Sequence, residues 1–184
     1  GAYEDSRTRL VIGDAKGGLE SEPDGSFDVI IMDLSDPLDG GPCYQLYTTD
    51  FYRILSKKLA PGGIFVTQSG CASVRDAHHV FSPINHTLKQ VFPKVYGYTM
   101  CVPSFTSEWG FNLAVNDENI DLSGAGVDDV LAARGLSMKF YDAISHRRMF
   151  ALPKPLRTLI DSEKRVMTVE NPLFMCSTDT HAGI

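Results

Sequence analysis

The chain has 184 residues, a length that fits one domain, with or without a small appendage. Its 43% hydrophobic and 22% charged residues are globular proportions and exclude a mainly disordered chain. The 23 acidic and 17 basic side chains give a formal charge of -6, which argues against a nucleic-acid partner and suits, weakly, a cationic ligand.

Sorting signals and metal motifs are not evident in the sequence. The apolar runs are too short to span a bilayer and residues 1–5 do not resemble a signal peptide, so we expect a cytoplasmic protein with no membrane partner. No CxxC or HExxH spacing occurs, so we expect reduced thiols and no metal site. The cysteines and histidines are Cys43, Cys71, Cys101, Cys176, His78, His79, His86, His146 and His181.

Strand and helix patterns alternate from the start of the chain. Residues 10–12 predict a short strand, followed by a turn at residues 13–15. Residues 27–33 form an apolar, β-branched run that ends in an acid, which predicts a strand buried on both faces. Thr48 or Thr49 can cap a helix over residues 50–59, which ends before Pro61-Gly62-Gly63.

The next strand is predicted at residues 64–68, before a helix over residues 76–92 in which Pro83 favours a kink or a late start. Residues 94–102 and 110–115 predict two strands, interpreted as a late antiparallel pair. A loop over residues 116–126 and a short helix over residues 127–134 follow. From about residue 150, prolines and spaced apolar residues predict a tail with a short helix and an extended end.

This alternation predicts an α/β fold with a mainly parallel sheet, covered by helices on both faces. In such sheets, ligands bind beyond the carboxyl ends of the strands. Asp14, Asp33 with Asp36, and Gln68 each follow or end a predicted strand. We therefore expect these side chains along one edge of the sheet.

The strongest chemical signal is the run Asp33-Leu34-Ser35-Asp36-Pro37. Two nearby carboxylates can bind an ammonium group, and one of them can accept its proton. The same residues also suit an ordinary turn, so both interpretations stay open on this motif alone.

Residues 40–47 suit a ligand-covering loop or a plain connection, and the aromatic residues 105–111 suit a cleft wall or the core. Residues 13–18 match neither the GxGxxG nor the P-loop pattern.

Taken in order, these motifs resemble the aminopropyltransferases, or polyamine synthases. The resembling segments, spread over nearly the whole chain, are residues 13–15, 27–37, 41–42, 49–52, 61–63, 68, 102–105, 110–111, 138–141 and 146–147. Residues 33–44 and the short loop at 105–110 are similar to the thermospermine synthases in particular. Spermidine synthases usually carry Gly-Pro-Ala after the acids and Gln-Gly-Glu where this chain has Gln68-Ser69-Gly70.

The resemblance implies a Rossmann-like fold of the S-adenosylmethionine-methyltransferase type. It implies transfer of an aminopropyl group from decarboxylated S-adenosylmethionine to a polyamine, with spermidine to thermospermine favoured, and release of methylthioadenosine. Decarboxylated S-adenosylmethionine is then a co-substrate, and no further cofactor or metal is expected. The implied roles are Asp33 as catalytic base, Asp36 as anchor of the amine, Gln68, Phe105 and Trp109 as substrate contacts, and Asp14, Ala15 and Pro42 as adenine contacts.

Three alternatives stay open beside this interpretation. Spermidine or spermine synthesis is one, because the sequence does not fix the acceptor. A methyltransferase using S-adenosylmethionine is the second. The third is a non-catalytic relative, which Phe105 favours because the family usually has Tyr at that position.

In the resembling family, a small β-domain, a glycine-rich loop and the first strands precede the part that resembles this chain. The resemblance therefore implies that residues 1–184 are a partial catalytic domain, inactive in isolation and homo-oligomeric in the full-length form. In the related fold, further strands lie between those matched by residues 10–12 and 29–33, so two strand edges would lack neighbours. We expect a separate chain to supply the missing part; direct pairing of the edges and association of two copies are the alternatives.

Overall fold

Four strands form one mixed sheet in the computed structural model, which describes residues 1–117 and 119–175. The strands are β1 (Phe27–Met32), β2 (Leu59–Cys71), β3 (Lys94–Val102) and β4 (Ser107–Val115). Their spatial order is β1-β2-β4-β3, with β1 and β2 parallel and both contacts of β4 antiparallel. The predicted antiparallel pair near the end of the sheet is confirmed as β3 and β4.

The described residues also form six α-helices around this sheet. They are α1 (Ala15–Ser21), α2 (Thr49–Lys58), α3 (Phe81–Leu88), α4 (Val127–Ala133), α5 (Ala143–Phe150) and α6 (Lys154–Ser162). Helix α2 begins where the sequence predicts, because the Thr48 hydroxyl accepts a hydrogen bond from the Phe51 backbone N–H. The α/β class is confirmed, with the parallel part of the sheet formed by β1 and β2.

Helices pack on both faces of the sheet, to different extents. On one face, α2 and α3 bury a core in which Tyr52, Phe65 and Ile84 are essentially inaccessible to solvent. Leu156 of α6 joins a second cluster around Phe81 on α3. On the opposite face, α5 lies against β3, where Phe150 and Tyr98 have ring centroids 5.0 Å apart.

The chain after α6 wraps back across the domain. Met167 is completely buried in the main core, its N–H donates to the Thr87 hydroxyl, and its carbonyl accepts from Thr49 N. Further on, Met175 N donates to the Pro37 carbonyl over 2.9 Å. The tail therefore connects α2 and α3 to the loop that follows β1.

The strand predicted at residues 10–12 does not form. Leu10, Val11 and Ile12 are 58%, 67% and 90% exposed, and no described strand pairs with them. A strand needs a neighbour for its backbone N–H and C=O groups, and local β-propensity cannot supply one. Direct pairing of residues 10–12 with β1 is therefore not observed.

The prediction that residues 27–33 are buried on both faces is wrong. Ile30 and Met32 face the main core, whereas Val29 and Ile31 on the opposite face are 52% and 72% exposed. Strand β1 has β2 as its single strand neighbour in the described residues, so it is an edge strand. An apolar, unpaired edge of this kind tends to associate with another strand.

The other differences lie at element boundaries. The strand predicted at residues 64–68 is the longer β2, Leu59–Cys71, and the strand predicted at residues 110–115 begins earlier, at Ser107. The helix predicted over residues 76–92 is the shorter α3, and Pro83 lies in its first turn, so the late start is the correct alternative. Helices α1 and α5 were not predicted. Gly17 and Gly18 lower the helix propensity of α1, which begins because Asp14 accepts a hydrogen bond from Gly17 N.

A buried lysine fastens the end of α1 to the end of α2. Lys58, 8% exposed, donates from Nζ to the carbonyls of Glu20 and Glu22 and forms an ion pair with Asp24 over 2.8 Å. These contacts satisfy carbonyls that the helix itself leaves unpaired.

Lys58→Met is expected to lower the free energy of unfolding by about 1–3 kcal/mol, because it keeps the apolar stem but removes these hydrogen bonds. Urea titration measures the loss, and hydrogen exchange should show the loosening concentrated in α1. The exposed neighbour Lys57 is the matched control. If Lys57→Met loses as much stability, the contacts of the Lys58 ammonium group do not hold α1.

Candidate active site

Strand β1 ends at one edge of the sheet beside β2, which continues to Cys71. In their parallel register Met32 pairs with Thr67, so Asp33 follows β1 next to Gln68. The loop after β1 returns Asp36 to the same place, where Gln68 Nε2 donates to Asp36 Oδ1 over 3.1 Å. The structure thus brings together these three residues at the carboxyl end of the parallel pair, the edge where ligands bind in such sheets.

The Gln68 side chain is 7% exposed and is saturated with hydrogen bonds. Its Oε1 accepts from Gly70 N and from the Trp109 indole N–H, both over 3.0 Å. Because those two groups can only donate, they orient the amide with Nε2 towards the acids. Nε2 donates to the Leu34 carbonyl over 2.7 Å as well as to Asp36.

Gly70 makes the close approach of Asp36 feasible. Its φ of +73° is a left-handed conformation that residues with a side chain rarely adopt. A Cβ at this position would lie 2.5 Å from Val80 Cγ2 and 3.4 Å from Asp36 Oδ1. The glycine thus bends β2 after Gln68 and leaves space for the carboxylate.

Partial burial changes the acidity of Asp36. Desolvation raises the pKa of its carboxyl group above the usual value, and the hydrogen bond from Gln68 offsets part of that effect. A bound proton or cation would therefore stabilise this poorly solvated carboxylate. An ammonium group is therefore a fitting ligand for this position.

Two adjoining cavities open beside the acids. The smaller, about 240 Å³, is lined by residues 33–36 together with Gln68, Phe105 and Trp109. The larger, about 410 Å³, shares Asp33 and both aromatic residues and extends along apolar side chains that include Ile31 and Val66. Their walls are acidic at one end and apolar at the other. That combination suits a chain of methylene groups carrying amines.

The aromatic wall comes from β3, β4 and the turn between them. Phe105 is half exposed, and its ring centroid lies 4.3 Å from that of Trp109. Tyr98 and Phe111 stack behind them with centroids 5.1 Å apart. Burial, together with Tyr141, raises the pKa of Tyr98 to about 12, so its phenol is neutral at physiological pH.

None of the predicted adenine contacts lines the two cavities beside the acids. Asp14 and Ala15 line a cavity of about 280 Å³ together with Arg9 and Leu19. Asp14 Oδ2 accepts from Gly17 N over 2.7 Å, so one of its oxygens already caps α1. Pro42 is exposed in the loop before the 3-10 turn Tyr44–Tyr47 and lines none of the three cavities described above.

Tyr47 is a site residue that the sequence alone does not reveal. It is completely buried, and its hydroxyl donates to the Ser35 carbonyl over 3.1 Å and accepts from Gln68 Nε2 over 3.0 Å. Its position in the 3-10 turn before α2 gives no sign of contact with the acids. Burial raises its pKa above the usual value for tyrosine, so the phenol stays neutral.

Within residues 1–117 and 119–175, no group of three or more His, Cys, Asp and Glu side chains could hold a metal ion, and no helix is long and apolar enough to cross a membrane. Cys43, Cys71 and Cys101 are free thiols. Cys176 and His181 lie outside the described residues.

The fold and site define a Rossmann-like α/β domain with a carboxylate pair at the ends of its parallel strands. Residues 1–123 match the spermine/spermidine synthase domain. The chain belongs to that family.

Curated relatives extend the similarity over most of the chain. It is 40% identical over 176 residues to a thermospermine synthase of Arabidopsis thaliana, covering 95% of this chain and 51% of the relative. It is 37% identical over 179 residues to a polyamine aminopropyltransferase of Aeropyrum pernix, covering 95% and 56% of the two chains. The chain thus spans about half the length of these relatives.

Solved structures share the same fold. The spermidine synthase from Thermotoga maritima aligns with a TM-score of 0.71 at 22% identity, covering 88% of this chain and 53% of that one. A spermidine synthase in complex with the transition-state analogue AdoDATO aligns with a TM-score of 0.73, also at 22% identity, covering 88% and 54%. At this identity the likeness confirms the fold class and nothing finer.

Proposed function

We propose that the whole protein transfers the aminopropyl group of decarboxylated S-adenosylmethionine to a polyamine amine. The observation that carries the proposal is the Asp33, Asp36 and Gln68 cluster beside an apolar cavity, in a chain of the spermine/spermidine synthase family. The amine nitrogen attacks the propyl carbon bound to the sulfonium, and the carbon–sulfur bond breaks. Its electron pair stays on sulfur, which leaves neutral methylthioadenosine, while the amine loses one proton.

Asp33 is the proposed base. Amines of this kind are protonated at neutral pH, with a pKa of about 10 like that of lysine, so a free lone pair requires removal of a proton. Asp33 borders both cavities and thus faces the full length of the acceptor space. The product is a neutral thioether, so the chemistry needs proton removal and in-line orientation rather than stabilisation of an oxyanion.

Asp36 is the proposed anchor of a second amine, and the aromatic wall is proposed to hold the methylene groups between the amines. Asp36 is enclosed in the smaller cavity, where its carboxylate lacks full solvation. Phe105 and Trp109 border both cavities and can pack against a saturated chain. Gln68 contributes by holding Trp109 and Asp36 in place.

We propose spermidine as the acceptor and thermospermine as the product. The support is the sequence similarity to a thermospermine synthase over 176 residues. Phe105 supports a distinct acceptor site as well, since it offers no hydroxyl where the family usually has tyrosine. On the donor side, Asp14, Ala15 and Pro42 are proposed to contact the adenine.

The domain and assembly predictions remain proposals. Residues 1–184 are proposed to form part of the catalytic domain, with the tail from about residue 150 as its appendage. The full-length protein is proposed to be a cytoplasmic homo-oligomer. Light scattering and cell fractionation test these two points.

The function is tested with the full-length protein and either decarboxylated or ordinary S-adenosylmethionine as donor. We expect aminopropyl transfer to spermidine, and chromatography should identify thermospermine rather than spermine. Methyl transfer without aminopropyl transfer would overturn the proposal in favour of a methyltransferase. Absence of any turnover with putrescine, spermidine and spermine would favour a non-catalytic relative.

A further inference from the structure

The Tyr47 hydroxyl lies between β2 and the loop that follows β1, and the proposed mechanism gives it no role. It has a single hydrogen, which it donates to the Ser35 carbonyl because that group can only accept. Its oxygen is then free to accept from Gln68 Nε2, which can only donate. The direction of both hydrogen bonds is therefore fixed by chemistry.

The side-chain nitrogen of Gln68, Nε2, carries two hydrogens but lies within hydrogen-bond distance of three acceptors. Its two N–H groups face the Leu34 carbonyl at 2.7 Å, the Tyr47 hydroxyl at 3.0 Å and Asp36 Oδ1 at 3.1 Å. The amide cannot flip to exchange Nε2 for Oε1, since Oε1 accepts hydrogen bonds from the Trp109 indole N–H and the Gly70 N–H. Three acceptors therefore share two hydrogens, and Asp36 does not receive one of them in full.

We propose that Tyr47 is a positioning residue that strengthens the binding of the acceptor's ammonium group by Asp36, because its hydroxyl draws the Gln68 amide away from that carboxylate. This inference rests on the proposed function. A carboxylate that accepts fewer hydrogen bonds keeps more negative charge for a cation. Without the hydroxyl, both Gln68 hydrogens would go to Leu34 and Asp36, which would weaken the attraction of Asp36 for an ammonium group.

The surroundings of Asp36 leave few other groups to produce the effect. Among the described residues, the titratable side chains that interact electrostatically with Tyr47 are Asp33 and Asp36 in the loop after β1, Cys43, which precedes the turn, and Tyr52 on α2. Asp33 and Cys43 are unchanged by a substitution at Tyr47. A change in the behaviour of Asp36 then reports on the Gln68 hydrogen bonds.

The test is Tyr47→Phe in the full-length protein, a change that keeps the buried ring. We expect the KM for the polyamine acceptor to rise about 3- to 10-fold, the range that one hydrogen bond supports, with kcat and the donor KM unchanged. A merely structural role would alter both substrates or kcat. An unchanged acceptor KM, or parallel changes in all three constants, would overturn the role of Tyr47.

Tyr52→Phe is the matched control. Tyr52 is buried next to Tyr47, and its hydroxyl has no hydrogen-bond partner in the part of the chain that the structure describes. Removal of that hydroxyl should leave the acceptor KM at the wild-type value. The same rise in both variants would show a general effect of losing a buried hydroxyl and would overturn the proposal.

A second measurement does not depend on activity. Carbon-13 NMR of the aspartate carboxyl groups should show a lower Asp36 pKa in Tyr47→Phe than in the wild type, because the freed Gln68 hydrogen stabilises the carboxylate. An unmoved titration in an active aminopropyltransferase would overturn the role of Tyr47 alone. A lowered pKa in a protein that transfers no aminopropyl group would overturn the proposed function alone.

Discussion

Asp33→Asn is expected to slow aminopropyl transfer by about 10²–10⁴-fold, the usual contribution of a general base. The amide has nearly the same shape as the carboxylate but cannot accept the proton of the amine. Asp33 is exposed at the end of β1, so the exchange leaves the buried core intact. The loss should appear in kcat, because substrate binding depends mainly on other groups.

Steady-state kinetics of the full-length protein measure the effect, with thermal unfolding as the check on folding. Asp28→Asn is the matched control, since Asp28 is an exposed acid on β1, the strand that Asp33 follows, and lines neither of the cavities at the acid pair. We expect Asp28→Asn to turn over like the wild type. Near-wild-type turnover by Asp33→Asn would show that another group, or water, removes the proton.

The convergence of the acids with Gln68 follows from sequence patterns. Asp33 and Gln68 lie at the ends of apolar runs, and neighbouring parallel strands necessarily bring such positions to one edge. The cap at Thr48 is equally local, because one side chain and one backbone N–H three residues later define it. Features that depend on a few consecutive residues, or on the common edge of neighbouring parallel strands, were thus predictable.

Contacts that depend on the register of antiparallel strands or on the path of a loop were not predictable. Trp109 reaches Gln68 over 41 positions, and that contact depends on the register between β2 and β4. Tyr47 reaches Gln68 over 21 positions through the path of the intervening loop. Residues 10–12 show the opposite failure, since their β-propensity is strong but no described strand pairs with them. Each case depends on a partner that local patterns do not specify.

Asp36→Asn is expected to raise the KM for the acceptor on the order of 10²-fold, because a partly buried cation would lose its charged partner. The carbonyl oxygen of the substituted side chain can still accept the hydrogen bond from Gln68, so the loop after β1 should keep its conformation. The loss should therefore be confined to acceptor binding, in contrast to the loss of kcat expected for Asp33→Asn.

The same substitution is expected to stabilise the fold at neutral pH. Burial raises the pKa of Asp36 in the folded protein, so the folded state binds this proton more tightly than the unfolded chain does. The stability that the protonated form contributes is present below the unfolded pKa of about 3.9 and is lost as pH rises through the higher folded value. Above that window the wild type carries the cost of a poorly solvated charge, which the uncharged amide of the variant avoids.

Urea unfolding of wild type and Asp36→Asn at a series of pH values measures the difference. The two proteins should unfold alike below the unfolded pKa, and the variant should gain a growing advantage as pH rises, which then levels off. Asp28→Asn serves again as the control for removing an exposed acid. A variant that is less stable than the wild type at neutral pH would show that the Asp36 carboxylate is held by contacts stronger than the single hydrogen bond from Gln68. In that case the Asp36 carboxylate would stabilise the fold, which would contradict its proposed role in binding an ammonium group.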